Sequence, residues 1–122
     1  MKKIMIVDDA MFMRKVIRTN LEKGGYTQIL EAENGEQALE LFKEEKPDLV
    51  LLDITMPGKS GIQVLKEIVS MEPEAKVIMC SAVGQEMMIT QAIEAGASDF
   101  IVKPFNGDEF MKVVENWMPE RA

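Results

Sequence analysis

The chain has 122 residues, of which 47% are hydrophobic, and this length and apolar content predict a single domain, residues 1–122, with a buried core. Its formal net charge of −7 at pH 7 argues against nucleic acid as a partner, because phosphate binding requires a basic surface. The chain has no histidine, which excludes a histidine-based zinc site, a histidine general base and a phosphohistidine carrier.

The first predicted element is a β-strand over Lys3–Val7, which is followed directly by Asp8 and Asp9. The chain enters this strand after only two residues, so its start does not have the pattern of a signal peptide. No apolar run approaches the roughly 20 residues that a membrane-spanning helix needs. We therefore expect a cytoplasmic protein that does not bind membranes.

Two helices and a second strand are predicted next. The first helix ends at Gly24 and has one apolar face, formed by Met13, Val16, Ile17 and Leu21. The strand over residues 27–32 contains polar side chains, which is typical of an edge strand. The second helix begins after Asn34, a predicted N-cap, and ends near Pro47.

The run of apolar residues 49–52 predicts a central parallel strand that is buried on both faces. Asp53 follows this strand, and Pro57 and Gly58 predict a loop after it, because neither residue suits a strand ladder. Ligands of open α/β sheets bind beyond the carboxyl ends of the strands. Asp53 is therefore the candidate nucleophile, although a lone aspartate in such a place more often caps a turn.

Strands and helices continue to alternate in the rest of the chain. We predict a helix bearing Ile62, Leu65, Ile68 and Val69, a strand over residues 77–80, a helix over residues 85–95, a strand over residues 99–102 and a helix over Gly107–Trp117. The only cysteine, Cys80, lies in an apolar run and is expected to be buried rather than reactive. Five strands alternating with five helices predict an α/β fold, a doubly wound parallel sheet with helices on both faces.

Polar side chains follow the predicted strands at one edge of this sheet, namely Asp8, Asp9, Asp53, Ser81 and Lys103. Three carboxylates in one place repel one another, so they should either raise a pKa or bind a divalent cation. Carboxylate oxygens suit Mg²⁺. Lys103 and Ser81 would then supply a positive charge and a hydroxyl donor for a phosphoryl group. A salt-bridge network between Lys103 and the aspartates is the simpler alternative.

These residues resemble the receiver domain of two-component response regulators, and most closely the stand-alone receivers of chemotaxis. The resemblance covers the whole chain and is carried by Val7-Asp8-Asp9, Asp48 and the run to Asp53 with Met56-Pro57 and Gly61, Cys80-Ser81-Ala82, Ala95-Gly96-Ala97 and Lys103-Pro104-Phe105. It implies a flavodoxin-like fold with the strand order 2-1-3-4-5, and it supports a cis peptide bond between Lys103 and Pro104.

The resemblance also implies how the site works. Asp53 would be phosphorylated by a histidine kinase, and the acyl phosphate would be lost slowly by autodephosphorylation. Asp9 and Asp53 would bind Mg²⁺ directly, Thr55 would bind it through its backbone carbonyl, and Asp8 would act through water. Lys103 would pair with the acyl phosphate, and Ser81 would turn inward to form a hydrogen bond with it.

The output implied by the resemblance is a change in partner binding. Phe100 would change rotamer when Ser81 moves, and Ile89 and Phe100 would contact the partner on the face formed by the fourth helix, the last strand and the last helix. Ile89 could instead simply be an inward-facing residue of its helix. The chain ends soon after the last helix, so we expect a monomer with a non-covalent partner, with the flagellar motor switch protein favoured and a phosphatase as a further partner.

Three alternative functions compete with chemotaxis signalling. A phosphorelay receiver outside chemotaxis would have the same site. An aspartate-nucleophile phosphatase would need a second carboxylate two residues after Asp53, where Thr55 stands. A flavodoxin-like nucleotide or flavin binder would need a glycine-rich phosphate loop after the first strand, where Asp8 and Asp9 stand.

Overall fold

A computed structural model describes residues 2–120. In chain order its elements are β1 (Lys3–Val7), α1 (Met11–Lys23), β2 (Gln28–Ala32), α2 (Gly35–Glu45), β3 (Leu49–Asp53), α3 (Gly61–Met71), β4 (Val77–Ala82), α4 (Glu86–Glu94), β5 (Asp99–Lys103) and α5 (Gly107–Trp117). All four pairings between neighbouring strands are parallel, and the strand order is β2-β1-β3-β4-β5. The predicted fold class and strand order are both confirmed.

The sheet separates two hydrophobic clusters, because successive side chains of each strand point to opposite faces. On one face, Met5 and Leu52 pack with buried residues of α2, α3 and α4. On the other face, Ile4 and Leu51 pack with buried residues of α1 and α5. Helices therefore cover both faces, and the central strand β3 is buried along its whole length, as its apolar sequence predicts.

Several local signals in the sequence have the predicted structural role. The side chain of Asn34 accepts a hydrogen bond from the Gln37 N–H at 2.8 Å and so caps α2. β2 is an edge strand, and the peptide bond between Lys103 and Pro104 is cis. Within residues 2–120, the helices are too short or too polar for any of them to cross a membrane.

Three strands are longer than the sequence indicates. β3 includes Asp53, which we expected to follow the strand. β4 continues through Ser81 to Ala82, and β5 continues to Lys103, whereas we expected Ser81 and Lys103 to follow their strands. The reason is that the two strands extend each other, since Ser81 pairs with Val102 and Ala82 pairs with Lys103. Helix α4 begins at Glu86, and Gln85 occupies the N-cap position without a capping hydrogen bond from its side chain.

The loop after β3 folds back closely onto the strand. The Gly61 N–H donates a hydrogen bond to the carbonyl oxygen of Ile54 at 2.8 Å. A Cβ atom at position 61 would lie 2.0 Å from the Asp53 carbonyl oxygen, which is a backbone atom and cannot move aside easily. Gly61 is therefore required for the close approach of α3 to the end of β3. Gly58 in the same loop has a φ of +77°, but a Cβ atom added there would have no other atom within 4 Å.

We predict that Gly61→Ala destabilises the protein far more than Gly58→Ala. The added methyl group at position 61 must displace the backbone of Asp53, which should cost at least about 2 kcal/mol. At position 58 the added methyl group meets no neighbour, and the only cost is that of an alanine in a left-handed backbone conformation, about 1 kcal/mol. Urea unfolding of both variants measures the two values. Equal losses would contradict the packing role of Gly61.

Candidate functional site

Three carboxylates meet at the carboxyl edge of the sheet. Asp8 follows β1 and Asp53 ends β3, and because Val7 pairs with Leu52 the two side chains are neighbours. Asp8, Asp9 and Asp53 each place a carboxylate oxygen within 4.8 Å of the others. Asp8 is 2% exposed and Asp53 is 9% exposed, whereas Asp9 is open to solvent. The sequence prediction that these carboxylates converge is confirmed.

Lys103 offsets part of the negative charge of this cluster. Its ammonium group lies 3.0 Å from Asp8 Oδ2 and 3.3 Å from Asp53 Oδ1. Burial acts to lower the pKa of Lys103, but the hydrogen bond to Asp8 and the charges of Asp53 and Asp8 outweigh it and raise the pKa. Lys103 is therefore a cation at neutral pH. Its shorter contact is with Asp8, so Lys103 forms the salt bridges with the aspartates that the sequence analysis gave as the simpler alternative.

Burial is the main cause of the raised pKa of Asp53. The charge of Lys103 lowers this pKa and the charge of Asp8 raises it, but burial dominates. The ionised carboxylate of Asp53 would therefore gain from a further positive charge nearby. The three carboxylates of Asp8, Asp9 and Asp53 place oxygen atoms within 4.8 Å of one another, and such a group of oxygen donors suits a hard divalent cation such as Mg²⁺.

Ser81 lies next to this cluster but is not connected to it. Its side chain is completely buried, and its hydroxyl oxygen has no hydrogen-bond partner among the described residues. Buried hydroxyl groups are normally hydrogen-bonded, so an unpaired one favours any change that brings an acceptor to it. The neighbouring Cys80 is also buried, and burial raises the pKa of its thiol to about 12, which agrees with an unreactive side chain.

The residues predicted for the partner surface share a groove beside β5. Phe100 is 40% exposed and lines this groove together with Ile89, Val83 and Val102. Ile89 is half-buried and also packs against the cluster formed by α2, α3 and α4. Ile89 therefore packs inward, as the simpler alternative predicts, and part of it also lines the groove.

Comparison with known proteins identifies the family. The model of the response regulator receiver domain matches residues 4–115, a span that includes every charged residue of this site. The chain belongs to this family. This match confirms the resemblance predicted from the motifs. Receiver domains accept a phosphoryl group in two-component signalling.

Individual relatives agree with this assignment. The receiver is 54% identical over 112 residues to the chemotaxis protein CheY of Bacillus subtilis, with 92% of this chain and 93% of that protein aligned. It is 40% identical over 121 residues to sporulation initiation phosphotransferase F of the same organism, covering 99% of this chain and 97% of that protein. The crystal structure of the NtrX receiver domain from Brucella abortus superposes with a TM-score of 0.91 at 34% identity, covering 96% of this chain and 98% of that one.

Arg14 supports the site of this receiver, and sequence reasoning missed it. The Arg14 guanidinium donates a hydrogen bond to the backbone carbonyl of Asp8 at 2.7 Å and another to Glu31 at 3.0 Å. Arg18 also binds Glu31, at 2.7 Å. Burial acts to raise the pKa of Glu31, but the hydrogen bonds from Arg18 and Arg14 lower it overall. These contacts fix the turn that carries Asp8 and Asp9.

Gln85 is a second residue that sequence reasoning missed. Its Oε1 accepts a hydrogen bond from the Ala82 N–H at 2.6 Å, and its Nε2 donates one to the Thr55 hydroxyl at 2.6 Å. Gln85 therefore ties together the loops that follow β3 and β4. No motif or spacing marks either Arg14 or Gln85, because their partners are backbone groups and side chains that only the folded chain brings near.

We predict that Asp53→Asn stabilises the metal-free protein more strongly as the pH rises. Because the folded-state pKa of Asp53 lies above its ordinary value of 3.8, ionising Asp53 costs more free energy in the folded chain than in the unfolded chain. The stability that this raised pKa confers is present below 3.8 and is lost as the pH rises through the folded-state pKa. Asparagine does not ionise and avoids that loss.

Urea unfolding of both proteins in EDTA, over a range of about pH 4 to 8, tests this expectation. The free energy of unfolding of the variant minus that of the wild type should increase with pH. A difference that falls with pH would mean that Lys103 dominates over burial at Asp53.

Proposed function

We propose that residues 1–122 form one receiver domain in which Asp53 accepts a phosphoryl group from a histidine kinase, and that phosphorylation changes the affinity for a partner protein. The observation that carries this proposal is the arrangement around Asp53. A largely buried carboxylate at the edge of the sheet has two further carboxylates within 4.8 Å and an ammonium group 3.3 Å away. The carboxylates of such a site attract a divalent cation, and the cation and the ammonium group together attract a phosphoryl group.

The proposed reaction transfers the phosphoryl group from the kinase histidine to Asp53. A carboxylate oxygen of Asp53 forms the new bond to phosphorus, and the bond between phosphorus and the histidine nitrogen breaks, leaving the electron pair on that nitrogen. Asp9, Asp53 and the backbone carbonyl of Thr55 would hold Mg²⁺, with Asp8 acting through water. Bound Mg²⁺ would neutralise charge on the phosphoryl oxygens. Lys103 would leave Asp8 and Asp53 to bind the same oxygens.

Slow hydrolysis of the acyl phosphate would reset the protein. We infer that its own catalysis is limited to accepting the phosphoryl group and losing it to water. A phosphatase acting on external substrates is less well supported, because Thr55 offers no acidic group to protonate a leaving group.

A switch based on Ser81 would connect phosphorylation to the surface. The buried Ser81 hydroxyl has no partner within residues 2–120, so an acyl phosphate on Asp53 would give it a charged acceptor. Movement of Ser81 would draw residues 81–84 inward and make space for the half-exposed Phe100. One such bond contributes roughly 1.5–3 kcal/mol, which shifts a balanced equilibrium by about one to two orders of magnitude.

The output that we favour is chemotaxis. The 54% identity to the chemotaxis protein CheY of Bacillus subtilis supports this output. We propose a cytoplasmic monomer that binds the flagellar motor switch protein through Ile89 and Phe100, with a separate phosphatase ending the signal. The 40% identity to the sporulation phosphotransferase supports a second candidate, a phosphorelay receiver outside chemotaxis. Capture of partners with and without acetyl phosphate distinguishes the two, since a motor protein and a phosphotransfer protein are different partners.

We predict that Asp53→Asn abolishes phosphorylation without unfolding the protein, because the amide preserves the volume of the nucleophile but cannot form an acyl phosphate. Intact mass spectrometry after incubation with acetyl phosphate and Mg²⁺ measures the label. Omission of Mg²⁺ should also prevent labelling. Asp108→Asn, an exposed carboxylate in the first turn of α5, is the matched control and should be labelled normally. Undiminished label on the Asp53 variant would place the nucleophile elsewhere.

We predict that Ser81→Ala uncouples phosphorylation from the surface. The variant should still accept the phosphoryl group on Asp53, but it should gain less partner affinity because the charged acceptor no longer draws the loop inward. NMR spectra with beryllofluoride, which mimics the acyl phosphate, should show shifts across residues 84–102 in the wild type and smaller ones in the variant. Phe100→Ala should also weaken the partner response. Shifts confined to the acidic cluster in the wild type would exclude the switch.

A further inference from the structure

The hydrogen-bond ladder between β3 and β4 stops one step early. The Ile54 N–H donates to the Cys80 carbonyl at 3.0 Å, and in a parallel ladder the next bond would run from the Ala82 N–H to the Ile54 carbonyl. That carbonyl instead accepts the Gly61 N–H at 2.8 Å. The Ala82 N–H, directly after the buried Ser81, therefore makes no backbone hydrogen bond toward β3, although Ala82 still pairs with Lys103 on its other side.

A side chain takes the place of the missing sheet bond. Gln85 Oε1 accepts the Ala82 N–H at 2.6 Å, while Gln85 Nε2 donates to the Thr55 hydroxyl at 2.6 Å. Thr55 lies two residues after Asp53, and Ala82 pairs with Lys103 in the sheet. The Gln85 side chain thus connects the loop after β3, which begins next to Asp53, with the end of β4, which lies beside Lys103.

We propose that Gln85 is a latch that holds the loop from Ser81 to Gln85 in its unphosphorylated position. This inference rests on the proposed phosphorylation of Asp53. Inward movement of Ser81 toward an acyl phosphate also moves the adjacent Ala82 N–H, and that N–H then leaves Gln85 for the more strongly accepting phosphoryl oxygens. The two Gln85 hydrogen bonds oppose this movement, so the latch lowers the affinity of the site for a phosphoryl group.

The latch also connects the site to the proposed partner surface. Helix α4 begins at Glu86, directly after Gln85, and the Gln85 side chain makes no capping hydrogen bond to this helix. Gln85 Nε2 lies 3.8 Å from the sulfur of Met88, which packs beside Ile89 against the core. Release of the Gln85 side chain therefore frees the first turn of the helix that carries Ile89.

The test is the affinity for beryllofluoride in the presence of Mg²⁺, measured for the wild type and for Gln85→Leu, which has a similar shape but forms no hydrogen bonds. The variant should bind beryllofluoride about twofold to tenfold more tightly, which is the range expected when one neutral hydrogen bond no longer opposes binding. The matched control is Gln91→Leu, an exposed glutamine on the same helix, which should bind like the wild type.

Thr55→Val removes the other partner of the bridge and provides a second test. Alone it should tighten beryllofluoride binding, and in the Gln85→Leu background it should add nothing, because the bridge is already lost. NMR supplies a readout besides affinity. The α4 amide resonances of free Gln85→Leu should lie part of the way toward their positions in the beryllofluoride complex of the wild type.

The outcomes separate the latch from the proposed function. Wild-type protein that binds no beryllofluoride would overturn the phosphorylation of Asp53 and the latch together. Normal wild-type binding with unchanged affinity in Gln85→Leu would overturn the latch alone. Weaker binding by the variant would also overturn it, because Gln85 would then hold the phosphoryl group rather than compete with it.

Discussion

The contact of Lys103 with Asp8 and Asp53 is the interaction on which the site depends. It joins the end of β5 to the ends of β1 and β3, and so it connects an edge strand with the centre of the sheet. A buried carboxylate without a compensating charge would be expensive to ionise. The ammonium group of Lys103 offsets part of the cost of ionising Asp53 in a place that excludes most water.

The backbone around this contact is held by ordinary packing constraints. Parallel pairing brings the ends of three strands to one edge, and the close approach of Gly61 turns the chain away immediately after Asp53. Arg14 fixes the carbonyl of Asp8 on the opposite side. The backbone that carries the charged groups is thus held by contacts other than those among the three aspartates and Lys103.

The charged part of the site could be predicted from the sequence because it follows from topology. Asp8, Asp53 and Lys103 each stand where an apolar run ends, and the ends of parallel strands meet. The exact ends of β4 and β5 could not be predicted, since pairing beyond Cys80 depends on how far each strand supports the other. The unpaired hydroxyl of Ser81 and the bridge formed by Gln85 depend on loop geometry, which leaves no periodic signal in the sequence.

The shallow attachment of α4 has a consequence for the evolution of such domains. Of the nine residues of this helix, all within the described part of the chain, only Ala92 is fully buried, whereas α3 buries five of its residues. Substitutions on most of α4 therefore remove little apolar surface from the core and should cost little stability. A lineage can therefore change the surface of this helix while keeping the packed core, so that duplicated copies can diverge at α4 without first losing the ability to fold.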